Sequence, residues 1–234
     1  MARLPRLVVP QALHHVIQRS HEGILLFRDN EDHTVFLNWL AQAAKQFQVA
    51  IHAYILMPDH FHLLLTPSDE QGLSKFMQWI GRYYVPYFNR KYQRSGSLWQ
   101  GRYKATVLEA EKYFLQCSLY VEGSPLRSGL VSDASEYPWS SYQHHIGQRV
   151  DPLVSDHPIF WALGNTPFQR EANYKEMMSQ SFSASEMAQL GDAVQKGWLL
   201  GSAAFQADIS KLTDRRVVPA KRGRPRKLPK NLSV

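Results

Sequence analysis

The sequence predicts an α+β protein built on a central, mainly antiparallel sheet with helices packed on it. Three observations lead there. Short β-branched or apolar runs alternate with longer runs of helical spacing. Two of the apolar runs are separated by only a tight turn, which makes them an antiparallel hairpin. Across 234 residues, 44% are hydrophobic and 12% aromatic. That is enough to bury one sizeable core, and it excludes a wholly disordered chain.

Taken in order, Ala12 to Arg19 reads as a first strand because it contains β-branched Val16 and Ile17 and lacks a helix cap. Asp29 then offers an N-cap, and Val35, Phe36, Trp39, Leu40, Ala43, Ala44 and Phe47 recur at helical spacing. Ala50 to Leu56 and His60 to Thr66 are the hairpin strands, joined through Met57-Pro58-Asp59. Leu73 to Tyr87 marks a long helix whose last turns Pro86 should kink by removing a backbone donor. Tyr92 to Gly101 is a loop, Tyr103 to Ala110 alternates like a strand, and Glu111 to Glu122 is a helix closed by Gly123-Ser124-Pro125. This order suggests a sheet carrying its helices on one face. Residues 1–149 form the main domain in this reading. A small C-terminal helical region follows at 150–212, cut by Pro158, Gly164, Pro167 and Gly197, and 213–234 is a flexible tail.

Charge is unevenly spread. From Arg215 onward there are eight basic residues and no acid; removing them from the 27 basic residues leaves 19 against 20 acidic ones, so the excess belongs to the tail. A second cationic stretch lies between Gln71 and Leu108, with Lys75, Arg82, Arg90, Lys91, Arg94, Arg102 and Lys104 and no acid. Two cationic surfaces imply a polyanionic partner. No apolar stretch approaches membrane-spanning length, and Met1 to Pro10 makes a poor signal peptide. The single cysteine, Cys117, fits a reducing cytoplasm.

Three features carry chemistry. In a strand, His60 and His62 point to one face while Phe61 packs on the other, so two imidazoles converge as a metal pair. The alternative reading is two separately satisfied histidines. His14-His15 and His144-His145 are adjacent, splay to opposite faces and are not expected to compete. Tyr120 is a candidate nucleophile if a cation stabilises its phenolate, and otherwise a packed aromatic. Ser124 lies one helical turn on. In the basic stretch Tyr92, Trp99 and Tyr103 are the candidates for stacking on unpaired bases, whereas Phe76, Tyr83 and Tyr87 fall on the core stripe. In the tail, Lys221-Arg222-Gly223-Arg224-Pro225-Arg226-Lys227 has the form of an AT-hook, with Arg222 and Arg224 suited to a narrow minor groove; a plain solvated basic tail is the alternative.

Together these residues resemble one family, the REP-associated tyrosine transposases, single-tyrosine members of the HUH endonucleases. The likeness is carried by Leu13-His14-His15-Val16, Phe27-Arg28-Asp29, His52-Ala53-Tyr54, the run from Met57-Pro58-Asp59 through His60-Phe61-His62 to Leu64, and Gly81-Arg82-Tyr83. It continues through Gln100-Gly101-Arg102-Tyr103-Lys104, Tyr120-Val121-Glu122, Pro125-Leu126-Arg127 and Tyr137-Pro138-Trp139. The resemblance implies a ferredoxin- or RRM-like HUH domain with the nucleophile's helix facing the two histidines. His60 and His62 are then ligands of Mg²⁺ or Mn²⁺, completed by Ser124 where the family commonly has Asn. Tyr120 attacks a DNA phosphate to give a 5′-phosphotyrosine. The implied partners are single-stranded REP-like hairpins gripped through Arg82, Arg90, Lys91, Arg94, Trp99, Arg102, Tyr103 and Lys104, with AT-rich duplex a further partner of the tail and the chain a monomer or homodimer. The alternative within the resemblance is a domesticated hairpin-binding protein that does not cut.

Overall fold

The computed structural model describes residues 6–21, 23–180 and 182–219. Strand β1 (Leu13–Arg19) leads to helix α1 (Asn30–Gln46), the hairpin β2 (Val49–Met57) and β3 (His60–Pro67), helix α2 (Gly72–Lys91), strand β4 (Lys104–Leu108) and helix α3 (Ala110–Glu122). Shorter helices follow: α4 (Ser124–Arg127), α5 (Tyr142–His145) and α6 (Pro158–Trp161), then α7 (Pro167–Ser179), α8 (Ala184–Lys196) and α9 (Ala203–Lys211). The sheet has the order β2-β3-β1-β4, and each neighbouring pair is antiparallel. The predicted α+β class and antiparallel sheet are therefore what the chain forms.

Local chemistry sets the element ends. The Asp29 carboxylate accepts from the Asp32 amide at 3.0 Å, satisfying one of the orphan donors that open α1. Helix α2 lacks a capping side chain at Gln71; instead Asp69 Oδ1 accepts from the Gln71 and Gly72 amides, both at 2.7 Å. It then runs on to Lys91 through Pro86, whose ring lies on the exposed side of the helix. Gly123 ends α3 at φ −79°, so it is not there for a left-handed turn. Space explains it: a Cβ at Gly123 would lie 2.9 Å from the Leu119 carbonyl oxygen and 2.8 Å from Arg127 Nη1.

The helices cover both faces of the sheet rather than one. Val16, Leu56, Phe61, Leu63 and Leu65 point to a first face, where Phe36 and Leu40 of α1 and Phe76, Ile80 and Tyr84 of α2 close over them. Each such fully buried side chain contributes roughly 1.5–3 kcal/mol. Leu13, Ala53, Ile55, Met57 and Leu64 point to the second face, under Phe114, Cys117 and Val121 of α3. The one-face expectation failed because strands with apolar residues on both sides read as continuous runs, and such runs do not say which helix covers which side.

The C-terminal helical segment expected from 150 onward does not stand apart. Phe160, Tyr174, Leu190, Ala193 and Leu200 belong to the same second-face core as Ile55 and Leu64. Backbone bonds fasten it: the Leu200 amide donates to Val107 O at 3.0 Å, and the Glu109 amide donates to Leu200 O at 2.9 Å. The AT-hook-like run, with Arg222 and Arg224, lies outside the described residues. Among the described residues no helix is long and apolar enough to cross a membrane.

Candidate functional site

The strand period places His60 and His62 on the second face, as expected, with Phe61 fully buried on the first. Their ring centroids are 5.1 Å apart at an interplanar angle of 81°. Each ring is anchored through Nδ1. His60 Nδ1 meets Asp59 Oδ1 at 2.6 Å, and His62 Nδ1 meets His15 Nε2 at 2.8 Å. Among the described residues neither Nε2 has a hydrogen-bond partner. Burial holds both imidazoles below their ordinary pKa. His62 falls well below it, with His15, His60, Arg19 and Arg127 adding to the effect, while Asp59 partly opposes the shift at His60. Both rings are therefore neutral near pH 7, the form that binds metal.

His15 is the residue that sequence reasoning missed. Adjacent histidines do splay apart, and His14 indeed turns to the other side, where its Nδ1 bonds Ala12 O at 2.8 Å. But the β1–β3 register sets Ile17 opposite His62, so His15 shares the face of His62. Its ring stacks on His62 at 5.0 Å and 24°.

Tyr120, in the last turn of α3, meets this cluster edge-on. Its ring centroid lies 6.1 Å from His62 at 87° and 5.9 Å from His15 at 78°. Arg127 folds back from α4, its guanidinium 4.7 Å from the ring centroid, and bonds the Tyr120 carbonyl. Burial raises the phenol pKa, and the Arg127 charge opposes that rise. Helix α8 lies over the hydroxyl: a Cβ at Gly191 would sit 3.3 Å from Tyr120 Oη. In the sequence Arg127 stands out only through Pro125-Leu126-Arg127, part of the family resemblance. The break at Gly123 between α3 and α4 puts its contact with Tyr120 outside the reach of simple helical spacing.

Ser124 behaves otherwise. Its hydroxyl donates to the Tyr120 carbonyl at 3.3 Å and accepts from Arg127 Nη2 at 3.0 Å, contacts that hold it to its own helix end. Among the described residues no group of three or more His, Cys, Asp or Glu is arranged to hold a metal ion. Two neutral imidazoles with anchored Nδ1 and open Nε2 nonetheless fit Mg²⁺ or Mn²⁺, because a hard ion bound by few protein ligands keeps waters and takes phosphate oxygens for the rest.

Glu122 points away from Tyr120, as its spacing predicts, into a buried polar network. Its Oε1 accepts from Ser141 and meets His145 Nδ1 at 2.7 Å; its Oε2 accepts from Tyr174 Oη at 2.6 Å. Tyr174 Oη also meets Ser118 Oγ at 2.7 Å.

The predicted DNA-contacting residues divide. Arg82, Arg90 and Arg102 are exposed. Lys91 is not a free cation: its Nζ lies 2.8 Å from Asp29, 2.8 Å from Glu31 and 3.0 Å from Asp32. Arg94 bonds Asn89 Oδ1 at 3.2 Å. Tyr103 is buried with the Arg6 guanidinium 3.7 Å from its ring centroid, Trp99 packs on Phe61, and the Tyr92 ring lies under Arg28 at 4.3 Å. Their loop position suggests stacking platforms; an arginine takes one face of Tyr92 and of Tyr103, whereas half-buried Trp99 lines an open cavity with Tyr103, Lys75 and Arg102. Tyr83, expected in the core, is exposed at 38%. Lys104 pairs opposite Ile17 and so stands on the histidine face, where its Nζ donates to Gln195 of α8 at 2.6 Å.

An antiparallel α+β domain with a tyrosine helix laid over a histidine pair defines the class, and comparison with known proteins supplies the family. The family described as transposase IS200 like matches residues 9–124, and the chain belongs to it. A REP-associated tyrosine transposase of Escherichia coli is 23% identical over 119 residues, covering 50% of this chain and 66% of that protein. A solved structure, described as a REP-associated tyrosine transposase bound to a REP hairpin, matches at TM-score 0.55 and 15% identity, over 67% of this chain and 92% of that one. At that identity the likeness is one of fold.

Proposed function

We propose that the protein nicks and rejoins single-stranded DNA at REP-like hairpins through Tyr120, with His60 and His62 holding Mg²⁺ or Mn²⁺. The observation that carries this reading is the edge-on approach of Tyr120 to His62 and His15 across the α3–sheet interface. The Tyr120 oxygen forms a bond to a DNA phosphorus, and the bond from that phosphorus to the 3′ oxygen breaks. The phenolic proton ends on the departing 3′-hydroxyl, leaving a 5′-phosphotyrosine; attack by that hydroxyl reverses the step without external energy. Arg127, against the ring, stabilises phenolate character as the proton leaves. His60 and His62 supply neutral nitrogen donors, and the ion they hold would act as Lewis acid on the scissile phosphate. Arg82, Arg90 and Arg102 track the DNA backbone, and Arg222 and Arg224 of the tail would add an AT-rich minor-groove contact.

One observation favours the alternative of a hairpin-binding protein that does not cut: α8 lies against the Tyr120 hydroxyl through Gly191. A denaturing gel separates the two. The protein is incubated with a single-stranded REP hairpin and Mn²⁺ beside Tyr120→Phe. The nuclease reading expects a covalent DNA–protein band from the wild type only. Hairpin binding with no covalent band establishes the alternative.

A further inference from the structure

The hydrogen bond between His15 and His62 can be made in two ways, and only one of them leaves a metal ligand. We propose that His15 is a positioning residue for His62: its Nε2 accepts the Nδ1 hydrogen of His62 and thereby leaves the Nε2 lone pair of His62 free for a divalent ion. The proposal rests on the metal reading above and adds to it a role for a residue outside the ligand pair.

The two rings are neutral and share one N···N contact of 2.8 Å. In one arrangement His15 donates from Nε2, so His62 carries its own hydrogen on Nε2 and cannot bind metal there. In the other, His62 donates from Nδ1, its Nε2 is bare, and His15 carries its hydrogen on Nδ1. The environment of His15 makes these unequal. Its ring is fully buried, and among the described residues its Nδ1 has no hydrogen-bond partner. A buried N–H without an acceptor is the rarer and costlier kind of orphan. The second arrangement leaves the buried Nδ1 hydrogen of His15 without an acceptor, and coordination of the His62 Nε2, possible only in that arrangement, is what selects it, with no net gain or loss of protons. Among the described residues nothing else performs this task. Thr106, opposite His15 on β4, gives its hydroxyl to the Trp198 carbonyl, and His60 is held by Asp59. Metal-bound histidines generally have such a partner on the other ring nitrogen, and its loss weakens binding by about 10–100-fold.

The test is calorimetric titration of the full chain with Mn²⁺ alone, for the wild type, His15→Leu, His15→Gln, His60→Ala and His62→Ala. His15→Leu should weaken binding about 10–100-fold, and His15→Gln, whose amide oxygen can accept the His62 hydrogen, should recover most of it. Nitrogen-15 NMR of the Mg²⁺-loaded wild type should find the hydrogen of both rings on Nδ1. Wild-type affinity in His15→Leu, or a His15 hydrogen on Nε2 in the loaded protein, overturns the proposal. Wild-type affinity in His60→Ala and His62→Ala is a different result: it removes the metal site itself and this role with it. If His15→Leu fails to fold, the glutamine variant and the NMR assignment decide.

Discussion

Tyr120 and Glu122 stand two residues apart on one helix turn, and their surroundings differ in a way that separates chemistry from construction. On the Glu122 side every polar atom of the carboxylate is engaged, by Ser141, His145 and Tyr174, and the group is fully buried. On the Tyr120 side the residue is half-buried, burial keeps the facing imidazoles neutral, and among the described residues the Nε2 atoms of His60 and His62 have no hydrogen-bond partner. A buried carboxylate with both oxygens engaged rigidifies a core. In the function proposed above, a cluster of neutral donors with free ring nitrogens receives a ligand from outside.

Replacing each residue in turn gives the largest contrast. Tyr120→Phe removes the proposed nucleophilic oxygen and nothing from the core, so covalent capture of a REP hairpin should vanish while stability stays within about 0.5 kcal/mol, as for partly exposed sites. Glu122→Ala does the reverse. It leaves His145, Tyr174 and Ser141 buried without their acceptor, a loss of roughly 3–5 kcal/mol. The melting temperature should drop by several degrees, and covalent capture at low temperature should persist in whatever fraction remains folded. If Glu122→Ala melted like the wild type but lost capture, the division between the two sides would be wrong.

Acid should act on the structural histidines next. His14 is satisfied by Ala12 O and the Val9 amide, and His52 by Ser155 O and Thr66 Oγ1. Burial lowers both from 6.5 to about 4. Because the folded values lie below the unfolded one, the stability these rings contribute is complete above pH 6.5 and is lost as pH falls towards 4. At pH 5 each should cost about 2 kcal/mol relative to neutrality. Thermal melts from pH 7 to pH 5 should therefore fall steadily, and less steeply in His52→Gln. Equal slopes would show that His52 is protonated as easily in the fold as out of it.

The contrast also marks what the sequence can express. The period of a strand suffices to put His60 and His62 on one face, and helical spacing suffices to turn Glu122 from Tyr120. His15 could not be found that way, because its neighbour across the sheet depends on a register that sets Ile17 opposite His62. Nothing local to either strand encodes that. The coverage of both sheet faces and the seat of α8 over Tyr120 were hidden for the same reason, being choices between apolar surfaces that look alike in one dimension. Lys91 shows the limit for charge. Its three carboxylate partners lie about sixty positions earlier, at Asp29, Glu31 and Asp32, so the acid-free window around it gave no warning.

That neutralised lysine supplies the smallest effect. Arg102 is exposed, so Arg102→Ala should weaken hairpin binding and reduce the slope of log affinity against log salt by about one. Lys91→Ala should leave the slope unchanged, because its charge is already compensated. It should instead destabilise the fold, since Asp32, wholly buried beside Tyr87 and Tyr92, would lose its cation. Hairpin titrations at several salt concentrations, set beside thermal melts of both variants, measure the two effects separately. A reduced slope in Lys91→Ala would mean that the ammonium leaves its carboxylates for phosphate when DNA binds, and the acidic cluster would then belong with Tyr120 among the parts of the molecule that await a ligand.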